Sequence, residues 1–377
     1  MIIGYDAKRI VANSTGLGSY GRTLINSLST AATDHRLRLY APDEGNDQLR
    51  SQVEMRKNVE FVYPKSSIIP FYKQYWRSRA VVKQLKADGV ELFHGLSGEL
   101  PAGLKKAGIK SVVTIHDLIF LRHPEYYKPI DVAIYRRKFH ATLREADRII
   151  AISECTKRDI LHYGNFPEDR IDVIYQSCGT RFAQHESDSR MQEVHARYSL
   201  PARYILNVGT IEERKNVMLA VKALPLLPED LHLVVVGRPT AYTRKVVAYA
   251  EANHLSHRLH LLHGIPNADL PSIYQMAECF VYPSRYEGFG IPVIEAIQCG
   301  LPVVAATGSC LEEAGGPDSL YVDPDDASAM AHAIEQSLKG SGACEERIAR
   351  CRDYVTRFEN NDIARQMFAE YCKVMTT

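Results

Sequence analysis

Residues 283–300 read Pro-Ser-Arg-Tyr-Glu-Gly-Phe-Gly-Ile-Pro-Val-Ile-Glu-Ala-Ile-Gln-Cys-Gly, and they follow an apolar run, Cys279–Tyr282, that predicts a buried strand. Pro292 suits the first turn of a helix, where a missing N–H costs nothing, and Gly300 suits the end of that helix. The stretch therefore predicts a strand, a glycine loop and a helix. A helix that starts in such a loop presents bare backbone N–H groups, which bind anions such as a diphosphate.

Two carboxylates flank this loop. Glu287 precedes the glycines, and Glu295 lies about one turn into the predicted helix. Carboxylates beside a phosphate site are better suited to accept hydrogen bonds from hydroxyl groups than to bind the phosphate itself. A ligand with a central diphosphate and a hydroxyl-rich ring on each side fits this layout, so the stretch predicts a site for a nucleotide sugar.

The order Glu-Gly-Phe-Gly-x-Pro-x-x-Glu in this stretch resembles the signature of the family 4 glycosyltransferases, which are retaining enzymes of the GT-B fold. The resemblance implies that Glu295 binds the ribose hydroxyls of the donor. It also implies that Glu287 binds hydroxyls of the transferred sugar, together with the backbone amides of Gly288, Phe289 and Gly290. An ordinary strand–loop–helix unit with an exposed glutamate is the alternative.

The rest of the chain indicates an α/β fold. Short apolar runs alternate with helix-period stretches throughout, which is typical of βα units and parallel sheets. The pattern predicts two Rossmann-like, doubly wound domains, and the resemblance implies that they face each other across a cleft, as in the GT-B fold. Open sheets of this kind bind ligands at the carboxyl ends of their strands.

Changes in composition suggest the domain boundaries. Residues 1–180 are predicted as an N-terminal, acceptor-side domain, and the polar residues 181–202 as a linker. Residues 203–358 are predicted as the nucleotide-sugar-binding domain. The GT-B resemblance implies that residues 359–377 form a helix that crosses back to the N-terminal domain.

The overall composition is that of a soluble globular protein. The 377 residues suffice for two domains, and a formal net charge of +1 argues against a nucleic-acid partner. No apolar run approaches the ~20 residues that a membrane-spanning helix needs, and the first residues lack the pattern of a secretion signal. The eight cysteines are scattered, so reduced thiols and a cytoplasmic location are expected.

A pair of adjacent cations follows the first predicted strand of the second half. Residues 207–216 read Asn-Val-Gly-Thr-Ile-Glu-Glu-Arg-Lys-Asn, in which Gly209 permits a close backbone approach. Arg214 and Lys215 are suited to neutralise the charge that builds on a departing diphosphate. The family resemblance implies the same role, so both are predicted as catalytic together with Glu287. A solvated Arg-Lys pair is the alternative.

A histidine ends a predicted strand of the first half, in the string Val-Val-Thr-Ile-His-Asp of residues 112–117. The resemblance implies that His116 lies beside the transferred sugar, with Asp117 orienting it. A general-base role is the other interpretation, because histidine titrates near neutrality. We assign His116 a positioning role among the catalytic residues, since retaining enzymes of this fold lack an agreed side-chain nucleophile. A buried structural histidine is the alternative.

Near the N-terminus, Gly16-Leu-Gly-Ser-Tyr-Gly21 matches the dinucleotide fingerprint Gly-x-Gly-x-x-Gly. In that fingerprint the first glycine follows its strand at once, whereas nine residues separate Asp6 from Gly16 here. The GT-B resemblance implies instead that the amides around Gly16 and Gly18 touch the donor diphosphate. An NAD-dependent oxidoreductase, with Asp43 on a ribose, is the main alternative function, and a nucleotide-sugar epimerase of the same fold is another.

We expect no metal and no cofactor beyond the nucleotide sugar. The Asp-x-Asp motif of metal-dependent glycosyltransferases is missing from the predicted ligand-binding loops, because Asp323-Pro-Asp325 falls in a late turn. Cations in the phosphate site make a divalent metal unnecessary.

Residues 65–83 mix aromatic and cationic side chains and hold the only tryptophan of the chain. Such a segment predicts contact with a membrane surface or with a lipid-linked acceptor. A partly buried helix whose aromatic side chains pack on the sheet is the alternative.

Two further strings refine the resemblance. Residues 116–127, His-Asp-Leu-Ile-Phe-Leu-Arg-His-Pro-Glu-Tyr-Tyr, and residues 213–216, Glu-Arg-Lys-Asn, look most like mannosyltransferases of bacterial polysaccharide and lipopolysaccharide assembly. The resemblance implies a retaining transfer of a hexose, with GDP-mannose as the preferred donor, to a sugar hydroxyl. The implied partners are the nucleotide-sugar donor and a glycan or lipid-linked glycan acceptor at the inner face of the membrane.

Overall fold

A computed structural model describes residues 1–65, 71–176, 178, 180–338, 342–358 and 363–376. The chain forms two compact units, one made of Met1–Gln176 with Asn360–Thr377 and the other of Ser177–Glu359. Each unit is built on a parallel sheet. The predicted α/β class with two doubly wound domains is therefore confirmed.

The sheet of the first unit is parallel throughout its described strands. These strands are β1 (Ile2–Asp6), β2 (Arg36–Tyr40), β3 (Val59–Val62), β4 (Leu92–Gly95), β5 (Lys110–Ile115), β6 (Arg148–Ala151) and β7 (Ile171–Val173). Their spatial order is β3-β2-β1-β4-β5-β6-β7, so the winding reverses between β1 and β4. All four residues of β4 are buried, as expected for a parallel strand covered on both faces.

Helices connect these strands. Those described are α1 (Lys8–Ala12), α2 (Gly16–Ala31), α3 (Asp47–Arg50), α4 (Tyr72–Tyr75), α5 (Val81–Ala87), α6 (Leu104–Ala107), α7 (Ile119–Arg122), α8 (Pro129–Glu145) and α9 (Glu154–Gly164). A π turn, Trp76–Ala80, joins α4 to α5. Helix α9 begins where the Ser153 hydroxyl accepts the amide of Thr156, an N-cap that satisfies one of the open N–H groups.

The second unit repeats this plan. Its described strands are β8 (Tyr204–Val208), β9 (His232–Val236), β10 (Leu259–Leu262), β11 (Cys279–Tyr282), β12 (Val303–Ala306) and β13 (Leu320–Val322). The order is β10-β9-β8-β11-β12-β13, and the winding reverses between β8 and β11. The Cys-Phe-Val-Tyr sequence of β11 is buried throughout, which explains why it reads as an apolar run.

The second unit also contains helices, one of which lies in the segment predicted as a linker. They are α10 (Asp188–Tyr198), α11 (Val217–Ala223), α12 (Thr243–Ala252), α13 (Leu270–Met276), α14 (Ile291–Gln298), α15 (Leu311–Gly315), α16 (Ala327–Glu335) and α17 (Gly342–Val355). Residues 181–202 contain α10, which the buried Asp269 of the second unit ties down by ion pairs with Arg190 and Arg197.

Helix α14 begins and ends as its sequence predicts. Pro292 lies in its first turn, and Gly300 follows its end with a φ of +79°. The amide of Gly300 donates to the carbonyl of Ile297 over 2.9 Å, and the amide of Leu301 donates to Ala296 over the same distance. These two bonds form a Schellman motif, in which glycine adopts the left-handed conformation at no steric cost.

The last helix, α18 (Ile363–Thr376), packs against α2 and β5 of the first unit. Tyr371 is fully buried, and its hydroxyl lies 2.7 Å from Nδ1 of His94. The Glu370 carboxylate lies 3.0 Å from Nε of Arg148. The described part of residues 359–377 is therefore part of the core of the first unit, while residues 359–362 lie outside the described residues.

Candidate active site

The predicted site residues of the second unit lie in two neighbouring loops, apart from Glu295, which lies in α14. Strands β8 and β11 are adjacent, and the loops after them begin at Gly209 and Pro283. The amide of Arg285 donates to the carbonyl of Arg214 over 2.9 Å, which joins the two loops. Open parallel sheets bind ligands at this point, where the winding reverses.

A buried ion cluster occupies the junction of these loops. Oε1 of Glu287 lies 2.5 Å from Nζ of Lys215, and Oε2 lies 3.0 Å from the Arg214 guanidinium. The Ser284 hydroxyl donates to Oε1 over 2.6 Å. Burial by itself would raise the pKa of Glu287, but the two cations and Ser284 hold it down at about 2. Glu287 is therefore ionised at neutral pH and accepts hydrogen bonds.

The two cations of the cluster are held charged. Burial opposes the charge on Lys215, but Glu287 outweighs it and raises the Lys215 pKa above its ordinary value. Nζ of Lys215 also donates to the Tyr282 hydroxyl over 2.7 Å and lies 5.1 Å from the centre of that ring. Arg214 donates to Glu212 over 2.8 Å and to a backbone carbonyl of the loop after β11. Two permanent positive charges therefore lie where the loops meet.

Gly209 ends β8 beside these cations. A Cβ built there would lie 3.9 Å from the side chain of Lys215, which is ordinary contact. Gly237, which the sequence reasoning did not single out, is more restrictive, because its Cβ would come to 1.8 Å from the carbonyl oxygen of Gly209. A side chain at position 237, directly after β9, would therefore collide with the loop that follows β8.

Gly290 of the loop before α14 occupies a position that disfavours any other residue. Gly290 has a φ of +127°, and a Cβ there would lie 3.0 Å from Leu311. Phe289 is buried and packs edge to face against Phe358, with ring centres 5.2 Å apart. Any contact of Phe289 with a ligand would therefore involve its backbone, as it would for the half-buried Gly288.

The second glutamate of the motif has different surroundings from the first. Oε2 of Glu295 accepts a hydrogen bond from the Tyr274 hydroxyl over 3.0 Å. Burial raises the pKa of Glu295 from about 4.5 to about 7, while Tyr274 and Arg181 oppose this rise. The surroundings thus shift the pKa values of Glu287 and Glu295 in opposite directions.

The loop after β12 adds groups that the sequence reasoning missed. Sγ of Cys310 donates to the backbone carbonyls of Glu287 and Phe289, at 3.1 and 2.7 Å, and so holds the backbone of the glycine loop in place. The hydroxyl of the neighbouring Ser309 is buried and has no hydrogen-bond partner in the part of the chain that the structure describes. Neither residue belongs to a recognisable local motif.

In the first unit, His116 is fixed as a neutral imidazole. Its Nε2–H donates to the carbonyl of Leu96 over 2.9 Å, and Nδ1 accepts the side-chain amide of Gln176 over 2.8 Å. The ring also meets Tyr20 edge on, at 4.8 Å between centres. Burial lowers the pKa of His116 to about 4. Both nitrogens are thus engaged, and the basic one, Nδ1, is occupied by Gln176.

Asp117, the residue expected to orient His116, directly follows it in the chain. Oδ1 of Asp117 accepts the amide of Ile119 over 3.2 Å, while Gln176, sixty residues away in sequence, holds the imidazole of His116. A cavity of about 220 Å³ opens beside His116, with Leu17 and Tyr135 among its walls.

The glycines of the Gly-x-Gly-x-x-Gly string have different surroundings. A Cβ on Gly18 would lie 1.9 Å from the carbonyl oxygen of Asn13, and the Gly18 amide already donates to Asn13 Oδ1 and to the Thr15 carbonyl. A Cβ on Gly16 would meet nothing within 4 Å. Gly18 is thus required by packing, and Gly16 is the glycine with open space beside it.

The segment predicted to touch a membrane is in part buried. Trp76 is only 4% exposed and packs in a core cluster with Tyr40. Arg77 pairs with Asp6 and Glu99, and does not extend into solvent. Residues 66–70 of this segment lie outside the described residues.

Among the residues that the structure describes, no group of three or more His, Cys, Asp or Glu side chains is arranged to hold a metal ion. No helix in that same part of the chain has both the length and the hydropathy needed to cross a bilayer.

Comparison with known proteins agrees with this geometry. Residues 193–358 match the family model of the glycosyl transferases group 1, and residues 14–178 match that of glycosyltransferase family 4. O-antigen chain mannosyltransferase B of Escherichia coli is 30% identical over 350 residues, which cover 89% of this chain and 90% of that protein. The serotype-specific mannosyltransferase WbdA of Escherichia coli is 30% identical over 261 residues, 66% of this chain, but these cover only 32% of WbdA.

The fold has solved counterparts. Sucrose-phosphate synthase from Thermosynechococcus elongatus superposes with a TM-score of 0.79 at 22% identity, over 100% of this chain and 99% of that one. The chain therefore belongs to the family 4 glycosyltransferases, and its two parallel-sheet units are those of the GT-B fold.

Proposed function

We propose that this glycosyltransferase moves a hexose, preferably mannose, from a nucleoside-diphosphate sugar to a sugar hydroxyl, with retention of the anomeric configuration. The observation that most directly supports this proposal is the cluster of Arg214, Lys215 and Glu287, which combines two fixed cations with an ionised carboxylate. The preference for GDP-mannose is supported by the similarity to an O-antigen chain mannosyltransferase.

In the proposed reaction, the bond between the anomeric carbon and the β-phosphate oxygen breaks. The acceptor hydroxyl oxygen forms the new bond to that carbon, and its proton leaves with the diphosphate. Arg214 and Lys215 stabilise the negative charge that develops on the diphosphate. Because its pKa lies near 2, Glu287 would not donate a proton to the leaving group, and we assign it to the hydroxyls of the transferred sugar.

Arg214 and Lys215 bring N–H donors to a diphosphate here. Glu287 and Glu212 balance the charges of these two cations, and because the site is largely removed from water, their interaction with an anion is weakly screened. We further assign Glu295 and the amides of Gly288 to Gly290 to the donor. The cations take the place of a metal in this proposal, so no metal and no further cofactor are required.

The first unit is assigned to the acceptor, with His116 positioning the transferred sugar as a neutral ring whose two nitrogens are bonded to Leu96 and Gln176. The oxidoreductase alternative is not favoured, since the chain belongs to a glycosyltransferase family. Asp43, which that alternative places on a ribose, instead lies 2.7 Å from Nζ of Lys73.

The donor is testable by melting temperature. In a panel of GDP-, UDP-, ADP- and dTDP-sugars and NAD, each measured with and without EDTA, we expect GDP-mannose to raise the melting temperature in both conditions. A ligand specific to the folded state adds about 2.7 kcal/mol of stability at a hundredfold excess over its Kd. A shift with NAD alone would support the oxidoreductase, and a shift abolished by EDTA would contradict metal independence. NMR of the anomeric proton of the product then reports retention or inversion.

We also propose that the enzyme acts in polysaccharide or lipopolysaccharide assembly, in peripheral contact with the inner face of the membrane. Phe71 is 85% exposed and Tyr75 is 56% exposed, one helical turn apart and close to the exposed cation Arg79. Apolar side chains beside cations are typical of surfaces that rest on anionic lipid. Arg77 takes no part, because its partners are Asp6 and Glu99.

Sedimentation with vesicles that contain phosphatidylglycerol tests this contact. The wild type is expected to pellet with the vesicles, and a Phe71→Ser, Tyr75→Ser, Arg79→Gln triple variant is expected to remain in the supernatant. Met55, which is 58% exposed in the same unit, provides the control Met55→Ser, which should pellet like the wild type. Equal pelleting of the triple variant and the wild type, or no pelleting of either, would contradict the membrane contact.

A further inference from the structure

The first unit has a second cavity, of about 200 Å³, besides the one at His116. Trp76, Phe93 and Leu100 supply apolar walls, and Arg77 and Glu99 supply charged groups. The volume is several times the ~30 Å³ that one water occupies in the liquid. The cavity therefore has room for a small organic ligand about the size of one sugar ring.

The cavity is built by an irregular piece of backbone. Trp76, Arg77, Ser78 and Arg79 all line it, and all lie in the π turn Trp76–Ala80 between α4 and α5. A π turn widens the helix by one residue and so changes which side chains share a face. Such turns are frequent at functional sites.

A network of four charged side chains forms the polar side of the cavity. Both carboxylate oxygens of Asp6 lie 3.1 Å from Nε of Arg77, and the same guanidinium pairs with Glu99. Glu99 also lies 3.0 Å from Nζ of Lys138. Burial opposes ionisation of Glu99, but Arg77 and Lys138 lower its pKa to about 2. Arg77 thus links Asp6 to Glu99, and Lys138 extends the network from Glu99.

This network also borders the cavity beside His116. Glu99 and Lys138 line both cavities, so the two spaces are neighbours that share one ion pair. The sequence places these groups far apart, with Asp6 at the end of β1 and Lys138 in the middle of α8. The fold brings them to the point where the winding of the first sheet reverses, which is where such sheets bind ligands.

The chemistry of the walls selects a neutral, hydroxyl-bearing ligand. The carboxylates of Asp6 and Glu99 would repel a phosphate, whereas they accept hydrogen bonds from hydroxyls and Arg77 and Lys138 donate them. The aromatic wall around Trp76 suits the apolar C–H face of a ring, and a mostly apolar cavity with a few fixed polar groups is typical of small-molecule sites.

We propose that this cavity is an acceptor subsite that binds one sugar ring, next to the ring that receives the transferred sugar beside His116. The inference rests on the proposed glycosyl transfer, and it adds that the acceptor carries at least two sugar rings. Asp6, Arg77 and Glu99 would determine which ring is accepted.

Trp76 gives a direct signal from this cavity, because it is the only tryptophan of the chain. We expect its emission to change saturably when one of four methyl biosides (of mannose, glucose, galactose or N-acetylglucosamine) is titrated into the intact protein. The matching methyl monoside should need a concentration at least about tenfold higher, which corresponds to the loss of about 1.4 kcal/mol of binding.

A plug variant makes the test specific. Ala102 lines the cavity and is exposed, so Ala102→Leu should fill the space there without disturbing the core. Ser78→Leu, at an exposed lining position whose carbonyl accepts the amide of Ala102 over 2.9 Å, is a second plug. Either plug should abolish the Trp76 response while the melting shift with GDP-mannose persists. Ala87→Leu, at an exposed position of α5 outside the cavity, should leave both signals unchanged.

Three outcomes would overturn the subsite: no Trp76 response to any bioside, a response that survives both plugs, or a response to inorganic phosphate alone. The last would make the cavity an anion site. If the Trp76 emission of the wild type changes with a bioside but no nucleotide sugar raises its melting temperature, the proposed donor chemistry is contradicted. The sugar subsite then remains supported.

Discussion

Lys215→Ala is expected to lower kcat by about 10² to 10³, the usual cost of removing one group that stabilises charge in a transition state. Nζ of Lys215 lies where the loops after β8 and β11 meet, and its charge is held by Glu287 and by the Tyr282 hydroxyl. If Lys215 neutralises the departing diphosphate, its removal slows the chemical step and therefore lowers kcat. Initial rates with saturating GDP-mannose and acceptor measure it.

The same variant should fold. After Lys215 is removed, Glu287 keeps its ion pair with Arg214 at 3.0 Å and its hydrogen bond from Ser284 at 2.6 Å, so no buried charge is left without a partner. Lys222→Ala, at an exposed position of α11, is the matched control and should keep the wild-type rate. A near-normal kcat in Lys215→Ala would show that Lys215 takes no part in the reaction.

Glu287→Ala differs in its effect on folding. Removing the carboxylate leaves Arg214 and Lys215 as like charges in a buried place, and an uncompensated buried charge costs about 3–5 kcal/mol. From the sequence alone, both alanine variants are expected to leave folding intact, and the contacts of Glu287 change that expectation for this one. A loss of activity in Glu287→Ala must therefore be read together with its melting temperature, whereas Lys215→Ala separates chemistry from stability.

The sequence was most informative where chemistry is local. The strand predicted at Cys279–Tyr282 is found with the same bounds, because a strand of a parallel sheet is buried on both faces and has an apolar sequence. The prediction that Arg214, Lys215 and Glu287 serve one site agrees with the adjacent strands β8 and β11 that their loops follow, but their direct ion pairs were not predicted. The α14 helix was predictable from Pro292 and Gly300 for the same local reason.

The groups that escaped prediction act over long sequence distances. Gln176 holds His116 from sixty residues away, and Arg77 meets Asp6 from seventy-one residues away. No periodicity or spacing encodes such contacts, since they arise only when several strands and helices have packed. Arg77 was therefore read as a membrane-facing cation, although it closes an ion network inside the first unit.

Protonation states escaped prediction for a related reason. Glu287 and Glu295 are equivalent in the sequence motif, but neighbouring cations lower the pKa of the first to about 2, and burial raises that of the second to about 7. The residues that decide this difference, Lys215 and Tyr274, lie on other elements. A motif identifies which carboxylates are present, and the packing around each one decides whether it is charged.

Gly18→Ala is expected to destabilise the first unit by about 3 kcal/mol, the upper end of the usual cost of overpacking. The added Cβ would lie 1.9 Å from the carbonyl oxygen of Asn13 and 2.8 Å from that of Arg9. Both are backbone atoms at the end of α1, so neither can rotate aside as a side chain would. Urea unfolding followed by the emission of Trp76, which lies in the same unit, measures the loss.

Gly16→Ala is the matched control two residues earlier in the same string. Nothing lies within 4 Å of its Cβ position, and alanine is favoured over glycine in a helix by up to about 1 kcal/mol, so stability should be unchanged or slightly higher. Its amide also remains available, so transfer should continue. If Gly16→Ala keeps its stability but loses donor binding, then a ligand approaches Gly16 as closely as a pyrophosphate does in a dinucleotide fingerprint. If only Gly18→Ala lowers stability, and neither variant loses donor binding, the glycines of the Gly-x-Gly-x-x-Gly string serve the packing of α2 against α1. The resemblance to that fingerprint then has no functional meaning.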